Sequence, residues 1–112
     1  MRPFPRRRFA DLVDRQLDLF GRQNGERLAQ IRDAYRQVNA AGREEAEAAF
    51  GDYQDQIGWA AEELAELRDA YAGTLDDEAL DAYVRAFARG VRRRYPALAD
   101  VMMRSVDDVD EI

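Results

Sequence analysis

The chain has 112 residues, a formal net charge of −6, no cysteine and no histidine. Its length fits one domain of roughly 100–200 residues. The missing residue types exclude disulfides, thiolate metal sites and imidazole ligands, and they remove the commonest general base. We therefore predict a protein that is not an enzyme and that uses no cofactor. The acidic balance disfavours binding to nucleic acid, which requires a basic face.

The two ends of the chain carry opposite charges. Residues 1–8 hold four Arg and no acid, whereas residues 105–112 hold four acids and no base. We predict a basic extended N-terminal arm (1–8), a helical bundle domain (9–104) and an acidic flexible tail (105–112). No apolar run approaches the roughly 20 residues that span a bilayer, so a cytoplasmic location is predicted.

The first predicted helix runs from Phe9 to Ala40. Its apolar residues recur at spacings of three and four, with Asn24 as the one polar member of that face. Gly21 and Gly25 each cost roughly 1 kcal/mol relative to Ala in a helix and favour a break. Because the apolar spacing continues through them, one unbroken helix is predicted. Asn24 is interpreted as a residue that fixes helix register or is partly exposed, rather than as a ligand contact.

Local signals divide the rest of the chain. A central helix is predicted over residues 46–72, with Gly73 as its C-cap. Thr74 is predicted as the N-cap of a third helix, which opens with acids and closes with arginines, as the helix dipole favours. Pro96 ends that helix. Residues 97–104 are predicted to form a short last helix with Leu98, Val101 and Met102 facing inward.

The predicted fold class is all-α, an elongated antiparallel three-helix bundle with two long helices, one shorter helix and a short C-terminal helix. Short connections make neighbouring helices antiparallel. Aligning the apolar faces about the connection at Gly42 places Gly25 beside Trp59, so this glycine is predicted to make room for the indole. The same alignment about Gly73 places Gly90 beside Ile57.

The central helix is rich in acids, and this pattern has two interpretations. A carboxylate-bridged metal site in a helical bundle normally uses Glu-x-x-His, and the chain has no His. The acids are therefore interpreted as a solvated face paired with arginines of both neighbouring helices. The predicted pairs are Arg15–Asp69, Arg22–Glu62, Arg27–Asp55, Arg32–Asp52, Arg36–Glu47, Arg85–Glu62 and Arg92–Asp55.

Two regions are candidate binding sites. An arm that mixes arginines with aromatic residues can bind an acidic partner, phosphate or a membrane surface, although a solubilising tail has the same composition. Aromatic residues near the Gly42 end can line a ligand pocket, although tyrosines on an apolar helix face are also typical of a core. The arm candidates are Phe4, Arg6, Arg7, Arg8 and Phe9. The pocket candidates are Tyr35, Phe50, Tyr53 and Tyr95.

Three functions are compatible with the sequence. The favoured hypothesis is a non-enzymatic protein–protein interaction or scaffold module that works through helix faces. Its long hairpin leaves part of an apolar coiled-coil-like face uncovered, which either residues 97–103 or a second copy of the chain is predicted to cover, so a homodimer is one expectation. The alternatives are a small-ligand-binding bundle that uses the Tyr-rich end, and weak binding of an anionic polymer or membrane surface through the Arg arm.

Overall fold

The computed structural model describes residues 8–110, with side chains described for residues 8–104. Within that range it contains five helices and no strand, so the all-α prediction is confirmed. The predicted arm lies outside the described residues except for Arg8. The helices are α1 (Ala10–Gln23), α2 (Gly25–Ala40), α3 (Ala46–Ala72), α4 (Asp77–Arg94) and α5 (Pro96–Asp110).

The prediction of one unbroken first helix is wrong, because the helix is interrupted at Asn24. This residue has φ −118° and ψ 24°, outside the α-helical values. Its backbone N–H and its side-chain Nδ2 both donate to the carbonyl oxygen of Phe20, at 3.0 and 2.9 Å. An Asn side chain that bonds to the local backbone competes with regular helix formation. The interruption lets α1 pack mainly on α4 while α2 packs on α3.

Helices α1 and α4 run parallel: the start of α1 contacts the first half of α4, and the end of α1 contacts the end of α4. The rings of Phe9 and Tyr83 lie 5.5 Å apart at one end, and those of Phe20 and Tyr95 lie 5.8 Å apart at the other. Between them, Gly90 faces α1 and not Ile57 as predicted. The helix register inferred from the sequence was therefore wrong for Gly90, because α1 occupies that face of α4.

The prediction about Gly25 is also wrong. A Cβ atom at Gly25 would meet nothing within 4 Å, so this glycine makes no room for a side chain. The guanidinium carbon of Arg27, two residues further on, instead lies 3.9 Å from the centre of the Trp59 ring. A cation over an indole face is attracted by the ring quadrupole. Helices α2 and α3 thus pack on each other in a register that differs from the predicted one, since Arg27 reaches Trp59 and the rings of Tyr35 and Tyr53 lie 5.5 Å apart.

None of the ion pairs predicted for the central helix forms among the described side chains. Between helices, the arginines at the end of α4 pair with acids of α1. The Asp14 carboxylate forms ion pairs with Arg93 and Arg94, with N–O distances of 3.6 Å each, and Asp18 pairs with Arg94. This difference follows from the packing of α1 on α4, because exposed pairs are too weak to set a helix register.

The α3 bounds agree with the prediction, and α4 starts close to it with a different cap. Asp76, and not Thr74, is the N-cap of α4, and its side chain accepts from the N–H of Ala79 at 2.9 Å. The Thr74 hydroxyl donates to the carbonyl oxygen of Tyr71 at 2.7 Å. The Thr74 cap prediction is therefore wrong, because this hydroxyl is engaged with the end of α3.

We expect Asp76→Ala to lower the free energy of unfolding by about 1 kcal/mol, the usual cost of losing an N-cap side chain. Thr74→Ala is the matched control, since it removes a hydrogen bond from the same loop without uncapping α4. Chemical denaturation of both variants measures the difference. Equal losses in the free energy of unfolding would show that the Asp76 hydrogen bond does not stabilise α4 as an N-cap.

Helix α5 begins at Pro96, a residue that is pre-organised for the first position of a helix. It extends to Asp110, so it is longer than the predicted 97–104 and enters the segment predicted as a tail. Leu98 is buried as predicted, and Val101 and Met102 are half-buried. Helix α5 packs on both α3 and α4.

Burial is concentrated at one end of the molecule. The buried core is Phe9, Val13, Leu17, Phe20, Ile57, Ala60, Leu64, Ala72, Ala79, Tyr83, Ala86, Phe87, Val91, Leu98 and Ala99. Between residues 21 and 56, only Ala34 is buried. The radius of gyration is 16.2 Å, compared with about 13 Å for a compact domain of this length. The α2–α3 hairpin is therefore a two-helix layer with little covering.

Candidate functional site

The candidate site is an open groove of about 750 Å³ beside the α2–α3 hairpin. One wall is α2, the floor is α3, and the other wall is the junction of α4 and α5. We call this feature the tyrosine groove, because Tyr35, Tyr53 and Tyr95 line it. These are three of the four residues predicted for a ligand pocket, and the fold brings them to one surface.

The α2 wall is one face of a helix. It is formed by Leu28, Ile31, Arg32, Tyr35 and Arg36. Residues three, four and seven positions apart share a helix face, so this spacing alone aligns them. Tyr53 and Ile57, four positions apart on α3, form the floor in the same way. The sequence assigned the aliphatic members of this wall to the bundle core.

The second wall exists because α4 ends. Pro96 has no backbone N–H and restricts the residue before it, so Tyr95 leaves the helix with φ −138° and ψ 66°. Tyr95 and the first turn of α5 then face α2 across the groove. The Tyr95 hydroxyl oxygen would lie 2.9 Å from a Cβ atom at Gly21, so Gly21 gives this side chain its space.

Phe50, the fourth predicted residue, lies outside the groove but beside it. It lines an adjoining cavity of about 410 Å³ between α3 and α5, which shares Tyr53, Ile57 and Ala97 with the groove. Tyr35 and Phe50 are 53% and 43% exposed. The two cavities thus adjoin along the first half of α3, and the groove is mainly apolar whereas Gln54, Asp100 and Arg104 make the adjoining cavity mixed.

Two of the three groove tyrosines contact each other, and the third packs elsewhere. Tyr35 and Tyr53 have ring centres 5.5 Å apart, whereas Tyr95 packs on Phe20. Burial raises the pKa of the Tyr53 phenol above its ordinary value, and the neighbouring Tyr35 raises it further. Tyr53 is therefore uncharged at neutral pH, and its hydroxyl can donate or accept a hydrogen bond at the groove floor.

The charged side chains that line the groove are all cations: Arg32, Arg36 and Arg94. Arg36 pairs with Asp33 at 3.3 Å, and Arg94 pairs with Asp14 and Asp18, but none of these acids lines the groove. Arg32 makes no ion pair or hydrogen bond with another described side chain. The groove is therefore apolar in its body and positive at its edges.

The predicted arm site is only partly described. Phe4, Arg6 and Arg7 lie outside the described residues, and Arg8 is exposed. Phe9 was predicted to bind a partner, but it is buried in the core against Tyr83. Phe9 therefore belongs to the core, where an apolar ring at the start of α1 gains more from burial than from solvent exposure.

The described residues contain no group of three or more His, Cys, Asp or Glu side chains arranged to hold a metal ion. In the same part of the chain, no helix is long and apolar enough to cross a bilayer. The fold and the groove define an all-α protein with an open, arginine-edged apolar surface. Comparisons with protein-family models, with curated proteins and with solved structures find no match.

Proposed function

We propose that this protein is a non-enzymatic interaction module that binds a helical segment of a protein partner in the tyrosine groove. Its scaffold is an elongated, largely antiparallel helical bundle. The single observation that carries the proposal is the arrangement of α2, α3 and α5, which leaves one side of an apolar groove open. Amphipathic helices commonly bind in such grooves through residues spaced three, four and seven positions apart.

The geometry of the bundle supports a helix as the occupant. At the core end, α1, α3, α4 and α5 pack around a shared core. At the other end, α4 has stopped at Arg94, whereas α2 and α3 continue. A helix is about 10–12 Å in diameter with its side chains. An incoming helix in the tyrosine groove would take the place along the bundle that α4 leaves.

The exposed side chains of the hairpin support the same proposal. Tyr35 and Phe50 present large apolar surfaces to solvent on the walls of the groove and its adjoining cavity. Contiguous exposed apolar surface with a polar edge is typical of an interaction site. Tyrosine is enriched among residues that dominate binding energy, because its ring buries a large area and its hydroxyl stays hydrated.

The experiment compares Tyr35→Glu with Leu19→Glu. The two side chains are 53% and 51% exposed, so neither substitution should unfold the protein, and Leu19 does not line the groove. Immobilised wild-type protein and both variants are exposed to extract from the source cells, and captured proteins are quantified. We expect a partner that Leu19→Glu retains and Tyr35→Glu loses by about tenfold or more. Equal capture by both variants would contradict the proposal.

A small amphipathic ligand is the second candidate, favoured by the convergence of three tyrosines on a volume of about 750 Å³. Ligand pockets commonly have volumes of about 300–1,000 Å³, but they enclose most of the ligand surface. The open form of the groove therefore favours a helix. A rise in melting temperature with a metabolite, abolished by Tyr53→Phe or Tyr35→Ala, would support the ligand instead.

Two further proposals concern association. A second copy of the chain can cover the apolar hairpin, and light scattering at increasing concentration would detect such a homodimer. Binding of an anionic polymer or membrane surface through the N-terminal arm rests on its arginines, of which Arg8 is exposed. Deletion of residues 1–8 should abolish that binding and leave groove binding unchanged.

A further inference from the structure

We infer that the tyrosine groove selects an acidic amphipathic helix, with carboxylates flanking the apolar face that enters the groove. This inference rests on the proposed function, because it specifies the charge of the helix that the groove binds. It is carried by the charged residues that line the groove, which are Arg32, Arg36 and Arg94 and include no carboxylate.

The arginines stand on both sides of the groove. Arg32 and Arg36 are four positions apart on α2, so they lie on one face, one turn from each other. Arg94 closes α4 on the opposite wall. A helix in the groove would therefore meet guanidinium groups along both flanks. Arginine binds carboxylates through two parallel hydrogen bonds, which suits acids at the edges of an apolar stripe.

The three arginines differ in how free they are to bind. Arg94 is engaged by Asp14 and Asp18, and Arg36 is paired with Asp33 across two largely exposed side chains. An exposed pair of that kind contributes little and exchanges readily for another carboxylate. Arg32 has no ion pair with the other described side chains. Arg32 should consequently contribute most to the selection of acidic helices.

The adjoining cavity does not oppose the preference of the groove for acidic helices. Its charged lining residues are Asp100 and Arg104, one of each sign, and the Nε atom of Arg104 donates to the Asp100 carbonyl oxygen at 3.4 Å. The charged residues that line the groove and the adjoining cavity therefore carry a net positive charge. A helix flanked by lysines would bring like charges against them, which costs affinity.

The test uses three designed peptides with one leucine face and with flanking positions that are all Glu, all Gln or all Lys. Each has about 18 residues, which gives a helix of about 27 Å. Binding to the full-length protein is measured by fluorescence anisotropy of the labelled peptides at low and high NaCl. We expect the Glu peptide to bind about tenfold more tightly than the Lys peptide, with a difference that shrinks as salt screens the charges.

Arg32→Gln should weaken binding of the Glu peptide by about threefold to tenfold and leave the Gln peptide unchanged. Arg85→Gln is the matched control, because Arg85 is exposed on α4 and does not line the groove. Similar affinities for all three peptides would overturn the charge selection and leave the proposed function standing. Failure of all three peptides to bind, the uncharged Gln peptide included, would count against the proposed function itself.

Discussion

Leu17→Ala is expected to lower the free energy of unfolding by about 2–5 kcal/mol, the usual cost of truncating a buried leucine. Leu17 has no exposed surface, and its side chain extends from α1 to α4, close to Gly90. The helices cannot move closer to fill the cavity that the substitution leaves, because Gly90 already brings them into close contact. Urea denaturation, with the slope compared between variants, measures the loss.

Leu19→Ala is the matched control for this prediction. It makes the same chemical change on the same helix, two residues away, where the side chain is 51% exposed. Its expected effect is within about 0.5 kcal/mol. Similar losses for the two variants would contradict the orientation of α1. A larger loss at Leu19 would mean that α1 presents its other face to α4.

Gly90→Ala is expected to destabilise the protein by about 1–3 kcal/mol, although alanine is the better helix former. A Cβ atom at Gly90 would lie 2.6 Å from Cγ1 of Val13 and 3.0 Å from Cδ1 of Leu17. Such distances force the helices apart or the side chains out of their rotamers. The net loss is measured by thermal and chemical denaturation.

Gly58→Ala provides the comparison, because Gly58 lies in the middle of α3 and a Cβ atom there would meet nothing within 4 Å. The same substitution should therefore stabilise the protein by up to about 1 kcal/mol through helix propensity alone. The opposite signs of the two expected changes in stability test the contact between α1 and α4. A stabilising Gly90→Ala would show that α1 and α4 are further apart than the structure has them.

The sequence predicted the parts of the fold that depend on local signals. The α3 bounds and the end of α4 followed from glycine, proline and the charges near helix ends, which act within a turn or two. The break at Asn24 was missed because apolar spacing continues through it. The two hydrogen bonds from Asn24 to the Phe20 carbonyl oxygen show that local backbone bonding, and not the apolar face, determines where the helix is interrupted.

The packing of α1 on α4 was missed for a different reason. Two helices with apolar residues at spacings of three and four can be aligned in several registers, and neighbours in the sequence were assumed to pair. Gly90 was assigned to a contact with Ile57 on that assumption. Its actual neighbours, Val13 and Leu17, lie more than 70 residues earlier in the sequence.

The site was partly predictable. Tyr35 and Tyr53 were expected to lie together because both are near the Gly42 connection, and their rings do meet. The aliphatic and arginine residues of the α2 wall were assigned to the core or to ion pairs. Their exposure depends on where α4 ends relative to α2 and α3, a three-dimensional relation that the spacing of one helix does not contain.

Binding of a protein partner in the tyrosine groove is the function that we propose. It is tested most directly by replacing Tyr35, and separately Leu19, with a photo-crosslinking phenylalanine analogue in the source cells. The two positions are similarly exposed, on the groove and away from it. We predict a discrete crosslinked product of defined mass from position 35 and none from position 19. Products from position 19 alone, or the same products from both positions, would contradict the claim.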